Sequence, residues 1–122
     1  METVKLFDSE LKVMELIWEK EPISAKELSL LLGESIGWNK NTTYTIIKKL
    51  IEKEAVFREE PNFLCTSLVK KEQVQIAETK SLIEKLYQGS KKAFFAAFLQ
   101  NEKLSREELE ELKRLLDEQE TK

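Results

Sequence analysis

The chain has 122 residues, which is enough for one domain or for a small domain with a helical appendage, and its 41% apolar content is enough for a core. Its single cysteine and the absence of histidine exclude an intrachain disulfide, a Cys/His zinc site and the Ser-His-Asp or Cys-His catalytic arrangements. The net charge of −3 argues against binding nucleic acid through bulk charge, so a nucleic-acid-binding protein of this composition needs a local basic face.

The N-terminal residues and the hydropathy pattern predict a cytoplasmic protein. The first residues, Met-Glu-Thr-Val-Lys, do not resemble a signal peptide. No stretch approaches the roughly 18 apolar residues that a membrane span requires. We therefore expect neither export nor a transmembrane helix.

The first part of the chain predicts two short helices. Asp8-Ser9-Glu10 opens the first, with either of its first two residues as the N-cap, and Glu21-Pro22 ends it after about Lys20. Ser24-Ala25-Lys26-Glu27 is a capping box, which predicts a second helix from Ala25 onward. Gly33 is a candidate for the left-handed C-cap of that helix.

The stretch from Asn39 to Lys53 predicts a third helix with two different faces. Asn39 is suited to cap its N-terminus, because its side-chain oxygen can accept hydrogen bonds from backbone N–H groups of the first turn. At about 100° per residue, one side is the core stripe, comprising Thr43, Ile46, Ile47, Leu50 and Ile51. The other side is polar and basic, comprising Asn41, Thr45, Lys48 and Lys49, with Thr42 and Tyr44 at its flanks.

This outer face is typical of a recognition helix in DNA-binding proteins. In such helices the N-terminal residues reach base edges in the major groove, while cations further along meet phosphates. Residues 38–53 hold four lysines against one glutamate, so the charge is local. The alternative is an ordinary amphipathic helix with a solvated lysine face. Two short helices, a tight connection and a third helix form a helix-turn-helix pattern, which favours the first interpretation.

A hairpin follows the third helix. Residues 55–58 predict a strand, residues 59–62 a turn and residues 63–66 the return strand. A hairpin in this position is the wing of a winged helix. Because its tip is acidic and only Arg58 lies nearby, we expect the wing to contribute little to DNA affinity. Cys65 is expected to be a small packed side chain.

The C-terminal part predicts three further helices. They lie over residues 71–87, over an apolar segment at residues 93–99, and after a capping box at residues 105–108. About 50 residues of helix with this much apolar surface rarely close a core alone, so a partner is implied, most simply another copy. The alternative is that this region folds back on the winged helix.

The sequence thus predicts a mainly α fold with an α+β wing: a winged helix-turn-helix DNA-binding domain at residues 1–69, followed by a three-helix dimerisation domain at residues 70–122. Large apolar side chains of the second domain are the candidates for the dimer contact. They are Ile76, Leu82, Ile83, Leu86, Phe94, Phe95, Phe98, Leu109, Leu112 and Leu116.

A series of short motifs then identifies a resemblance. The series includes Val13-Met14 with Trp18, Trp38 followed by a polar residue and Thr42, and Ser67-Leu68-Val69. It continues with Tyr87-x-Gly89 and with Leu104-Ser105-x-x-Glu108-Leu109-Glu110-Glu111-Leu112. In this order and spacing, over nearly the full length, the chain resembles the penicillinase and methicillin-resistance repressor family of the BlaI/MecI/CopY type.

The resemblance implies a homodimeric winged-helix repressor that binds double-stranded DNA at a palindromic operator. The DNA-contacting positions it implies, together with the basic and polar residues beside them, are Lys40, Asn41, Thr42, Tyr44, Thr45, Lys48, Lys49 and Arg58. In the best-known members a basic residue stands where this chain has Tyr44. Tyrosine can hydrogen-bond a phosphate or pack on a thymine methyl, but it cannot form the bidentate hydrogen bonds that arginine makes to guanine. The operator sequence of those members therefore cannot be assigned to this chain.

The resemblance also bears on induction. The antibiotic-resistance members are inactivated by proteolysis between an Asn and a Phe, through a membrane sensor-protease. The equivalent bond here is Ala97-Phe98, in which the Phe matches and the Asn does not. The copper-responsive branch carries a C-terminal cysteine cluster that this sequence lacks, so we expect no metal and no cofactor.

Two other classes of function are alternatives to a repressor. The net charge and the acidic wing fit a protein–protein adaptor built on a winged helix without specific DNA binding, whereas the lysine-bearing third helix opposes it. An enzyme is not expected, because the many carboxylates follow solvated helical charge patterns and none is paired with a nucleophile or base.

Overall fold

The structure, a computed structural model, describes residues 4–120 of the chain. Its helices and strands, in chain order, are α1 Asp8–Lys20, β1 Ile23–Ser24, α2 Ala25–Ile36, α3 Lys40–Glu52, β2 Val56–Glu59, β3 Leu64–Ser67, α4 Lys71–Tyr87, α5 Lys91–Asn101 and α6 Arg106–Glu120. None of the helices described between residues 4 and 120 is long and apolar enough to cross a bilayer.

The chain forms two compact units that divide within α4, between Thr79 and Lys80. The first unit contains α1–α3 and the strands, and the second contains α5 and α6. The predicted mainly α fold, with a helix-turn-helix, a wing and three further helices, is confirmed. The functional division between residues 69 and 70 stays a prediction, because the compactness of a unit does not show whether its residues bind DNA or a second copy.

The strands form a small antiparallel sheet in the order β1-β3-β2. Arg58 of β2 and Ile23 of β1 both lie opposite Cys65 of β3. The hairpin of β2 and β3 is the predicted wing. Strand β1 was not predicted, because it has only two residues and exists through its pairing with β3.

The core of the first unit is formed where α1, α2 and α3 pack together and against the sheet. Its buried residues include Val13, Met14, Ile17, Leu28, Ile46, Ile47, Leu50, Val56 and Cys65. The indole N–H of Trp18 donates to the carbonyl of Val69 at 2.9 Å, and Val74 at the start of α4 joins the same core. The apolar stripe predicted for α3 is therefore confirmed, with Ile51 only partly buried.

Three of the predicted helix caps are confirmed. The N–H of Glu27 donates to the Ser24 hydroxyl at 3.0 Å, and the N–H of Thr42 donates to the Asn39 side chain at 2.8 Å. Ser105 and Glu108 form a reciprocal capping box at α6. There, the hydrogen bonds from the Ser105 N–H and hydroxyl lower the pKa of Glu108.

Two other cap predictions are wrong. The N-cap of α1 is Phe7 rather than Asp8 or Ser9, and the N–H of Phe7 donates to the Glu10 side chain at 2.8 Å. Helix α2 continues past Gly33 to Ile36, and Gly37 is its left-handed cap, with φ 76°. A Cβ on Gly33 would lie 3.4 Å from the Trp38 carbonyl oxygen, which is about van der Waals contact.

The second unit has an aromatic cluster at its centre. The Phe94 ring lies edge-on to the rings of Tyr87 and Phe95, with centroid distances of 5.6 Å and 5.1 Å respectively. The centroid of the Phe98 ring lies 6.4 Å from that of Phe94. Gly89, with φ 83°, and the Ser90 cap separate α4 from α5. Large apolar side chains of this unit stay exposed, among them Leu86, Phe95, Phe98, Leu99, Leu109, Leu112, Leu115 and Leu116.

Candidate nucleic-acid interface

The outer face of α3 presents the predicted polar and basic residues to solvent. Lys40, Asn41, Thr45, Lys48 and Lys49 are all exposed, and the buried residues of α3 lie on its opposite side. Thr42 is half-buried, and its hydroxyl donates to the Asn39 cap at 3.1 Å. Helical periodicity therefore placed this face correctly.

The basic charge of this face is not neutralised by ion pairs among the described residues. Lys40, Lys48 and Lys49 take part in no ion pair within residues 4–120. Lys53 differs, because its ammonium lies 2.6 Å from Oε1 of the buried Glu10. Three lysines rather than four are thus available to meet phosphates.

An open concavity of about 420 Å³ lies between the start of α1 and the outer face of α3. Its lining residues are Ser9, Asn39, Asn41, Thr42, Thr45, Ile46 and Lys49. Sequence reasoning missed Ser9 as part of this surface, because periodicity within α3 cannot reveal which other helix lies beside it. The concavity combines hydroxyls, side-chain amides and one ammonium, which are groups that bind phosphate and base edges.

Tyr44 lies at the edge of this face and is held by packing. It is half-buried, and its ring meets Phe63 of the wing edge to face, with centroids 5.9 Å apart. The ammonium of Lys40 lies 5.6 Å from the Tyr44 ring centroid. Tyr44 therefore lies beside the predicted DNA-binding face and also takes part in the packing between α3 and the hairpin.

The wing offers little free positive charge. The guanidinium of Arg58 pairs with the carboxylate of Glu60, and its carbon lies 3.7 Å from the Phe63 ring centroid. Glu59 adds a second exposed carboxylate. These contacts support the expectation that the wing adds little to DNA affinity, although Arg58 stays a predicted DNA contact.

Cys65 is buried between β1 and β2. Burial raises the pKa of its thiol to about 11, against a smaller lowering effect of Arg58. The thiol is therefore protonated at neutral pH, as is typical of a packed cysteine and not of a redox sensor.

The predicted dimerisation residues divide by exposure. Ile76 lies in the first unit and is exposed. In the second unit Ile83 is buried and Phe94 is half-buried, whereas Leu82, Leu86, Phe95, Phe98, Leu109, Leu112 and Leu116 are exposed. Leu109, Leu112 and Leu116 share one face of α6, because their spacing is three and four residues.

The bond between Ala97 and Phe98 lies inside α5, three residues before its last residue. The side-chain amide of Asn101 donates to the Ala97 carbonyl at 2.7 Å. A protease that binds its substrate in an extended conformation would need to unwind this turn first.

The chain matches a family model described as Penicillinase repressor over residues 6–118. The methicillin resistance regulatory protein MecI of Mammaliicoccus sciuri is 30% identical over 117 residues, covering 94% of this chain and 95% of the relative. The penicillinase repressor of Staphylococcus aureus is 29% identical over 116 residues, covering 93% of this chain and 92% of the relative.

Two solved structures resemble part of the chain. The solution structure of the DNA binding domain of the repressor BlaI has a TM-score of 0.54 and 26% identity, covering 60% of this chain and 93% of that one. The Bacillus licheniformis BlaI monomeric form, solved in complex with the blaP half-operator, has a TM-score of 0.52 and 28% identity, with the same coverage.

Proposed function

The chain belongs to the penicillinase repressor family, a family of transcriptional repressors and not of enzymes, and from this premise we propose that it is a homodimeric repressor that binds a palindromic operator. In the proposal α3 and the wing contact DNA and the C-terminal helices join two copies, which corresponds to the division at residues 69 and 70. The site of action is the cytoplasm. The observation that carries the proposal is the exposed face of α3, with three lysines outside any ion pair in the described chain.

The face of α3 suggests that its N-terminal residues contact bases and its later residues contact phosphates. Asn41 and Thr45 carry short polar side chains within the first two turns, where a recognition helix reaches base edges. Lys48 and Lys49 follow one turn later, where cations meet phosphates. BlaI of Bacillus licheniformis, with its similar fold, has been solved on a half-operator, which supports docking this face onto one half-site.

The exposed apolar residues of the second unit support a dimer. Leu116 is 67% exposed and Phe95 is 56% exposed, although both are large apolar side chains. A second copy that covers them would remove apolar surface from water at about 25 cal/mol per Å². Two joined copies would also read two half-sites about 34–36 Å apart, one helical turn of DNA.

The test is a titration of the purified protein, followed by fluorescence anisotropy, into the palindromic DNA nearest its gene and into scrambled DNA at two salt concentrations. Tight, salt-sensitive binding that prefers the palindrome is expected. Weak and equal binding to both DNAs would overturn the proposal in favour of the adaptor alternative, which the acidic wing and the net charge of −3 favour.

A matched pair of α3 variants separates base reading from phosphate contact. Thr45→Ala is expected to reduce discrimination between operator and scrambled DNA by about 1–3 kcal/mol, because Thr45 faces base edges. Lys48→Ala is expected to weaken binding to both DNAs alike and to reduce the salt slope by about 1, because its charge meets a phosphate. Both changes are measured by anisotropy as a function of salt. Equal loss on both DNAs for Thr45→Ala would remove that residue from base recognition.

Proteolysis at the bond between Ala97 and Phe98 is proposed as the route of induction, with a membrane sensor-protease as the partner. Partial exposure of both residues supports it, whereas the position of the bond inside α5 and the Asn101 contact oppose it. Incubation with a cognate sensor-protease, followed by mass spectrometry, tests it. If only the intact 14.3 kDa chain is found, this route is excluded.

A further inference from the structure

Phe63 has a backbone conformation that a bulky side chain rarely adopts. Its φ angle is 49°, in the left-handed region, and the preceding Asn62 has φ 76°. The carbonyl of Phe63 accepts a hydrogen bond from the N–H of Ala25 at 2.9 Å, and its own N–H donates to Oε1 of Glu60 at 3.4 Å. Residues held in such conformations by their surroundings concentrate at functional sites.

The Phe63 side chain connects the wing to α3. Its ring meets the Tyr44 ring edge to face, with an interplanar angle of 84°, and the Arg58 guanidinium lies over it. Phe63 and Tyr44 are both partly buried against the core of the first unit. One hairpin side chain therefore contacts both α3 and β2.

Tyr44 has a polar group, its hydroxyl, that no other residue of the described chain uses. No hydrogen bond within residues 4–120 involves its hydroxyl, whereas the ring meets Phe63 edge to face and is partly buried against the core. A side chain whose ring is fixed holds its hydroxyl in one place, so a hydrogen bond to a ligand loses little conformational entropy. Asn41 and Thr45, on the same helix, are exposed beside it.

We propose that Phe63 is a positioning residue for DNA binding: it holds Tyr44 so that the Tyr44 hydroxyl donates a hydrogen bond to a phosphate of the operator. This inference rests on the proposed function, since it needs α3 to dock on DNA. It gives the wing a role that does not depend on charge. The wing supports a contact made by α3 instead of supplying a cation of its own, which fits the pairing of Arg58 with Glu60.

A double-mutant cycle tests the proposal. Tyr44→Phe removes the hydroxyl and keeps the ring, and Phe63→Leu removes the ring edge and keeps an apolar side chain. Each is expected to weaken operator binding by about tenfold, the loss typical of one hydrogen bond to a charged group. The double variant is expected to bind as weakly as either single variant, because both changes remove the same contact.

Three further variants complete the design. Phe57→Leu makes the same substitution at an exposed phenylalanine of the same hairpin that is neither an aromatic contact of Tyr44 nor a predicted DNA contact, so operator affinity should fall far less than for Phe63→Leu. Phe63→Tyr keeps the ring, so this variant should bind the operator about as tightly as the unmodified protein. Should Phe63→Leu melt below the assay temperature by circular dichroism, Phe63→Met takes its place in the cycle.

The outcomes distinguish the inference from the proposed function. If the two single losses multiply in the double variant, Phe63 supports the fold alone and the inference is overturned. Wild-type affinity for Tyr44→Phe would overturn it as well. If the unmodified protein shows no preference for the palindrome, the proposed function fails first and the inference fails with it.

Discussion

Phe98→Glu is expected to make the protein monomeric and to lower operator affinity by about 100-fold or more, the usual loss when two linked sites become independent. The Phe98 side chain is 49% exposed on α5, so a glutamate there can stay solvated within a single copy. In the proposed dimer the same carboxylate would be buried against apolar side chains of the second copy, where an unpaired charge is strongly unfavourable. Sedimentation equilibrium and anisotropy measure the two effects.

Phe98 is a better position for this test than Phe94. The Phe94 ring contacts Tyr87, Phe95 and Phe98, so a charge there would disturb the cluster inside one copy. Gln100→Glu is the matched control, because it adds the same charge at an exposed polar position of α5 and should leave dimer and affinity unchanged. A Phe98→Glu protein that stays dimeric would place the interface elsewhere. A monomer with full affinity would separate dimerisation from DNA binding.

The features that could be predicted from the sequence are those whose signals are local. Ser24 and Asn39 cap their helices through atoms three residues away, so the sequence pattern contains both partners. The outer face of α3 follows from helical periodicity alone. The short motifs, read together along nearly the whole chain, also indicated the family that the family model confirms.

The errors come from contacts between distant residues. The C-cap was predicted at Gly33, but α2 continues to Ile36 and Gly37 takes the left-handed conformation. Beyond this cap, the Trp38 N–H donates back to the Leu32 carbonyl at 3.4 Å. The contact between Tyr44 and Phe63 spans the α3–wing connection and depends on how the hairpin folds back. No spacing pattern in the sequence predicts either contact.

The pair of Glu10 and Lys53 shows the same limit, since 43 residues separate its members. The sequence placed Lys53 only among the four lysines of residues 38–53, and Glu10 only in the stretch that opens the first helix. In the structure Glu10 is 1% exposed, and the Lys53 ammonium donates to its Oε1 at 2.6 Å and to the Lys5 carbonyl at 3.0 Å. The same ammonium lies 4.4 Å from the Phe7 ring centroid.

Lys53→Met is therefore expected to destabilise the protein by about 2–3 kcal/mol, somewhat less than the loss of a partner in a fully buried pair, because the Lys53 side chain is itself 30% exposed. Methionine keeps an apolar stem of similar length but, among residues 4–120, leaves the Glu10 carboxylate with only the Phe7 N–H as a donor. The second oxygen, Oε2, already has no hydrogen-bond partner in the described chain. Urea unfolding at equal protein concentrations measures the change, since the stability of a dimer depends on concentration.

Two further variants decide the cause of this destabilisation. Lys48→Met makes the same substitution on an exposed part of α3 without an ion pair and should change the free energy of unfolding by less than about 0.5 kcal/mol. Adding Glu10→Gln to Lys53→Met removes the buried charge and should restore most of the lost stability, because an amide is far less costly to bury than an unpaired carboxylate. If the double variant is as unstable as Lys53→Met alone, the lysine contributes by packing on Phe7 and by its bond to Lys5, and the charge of Glu10 is not what it compensates.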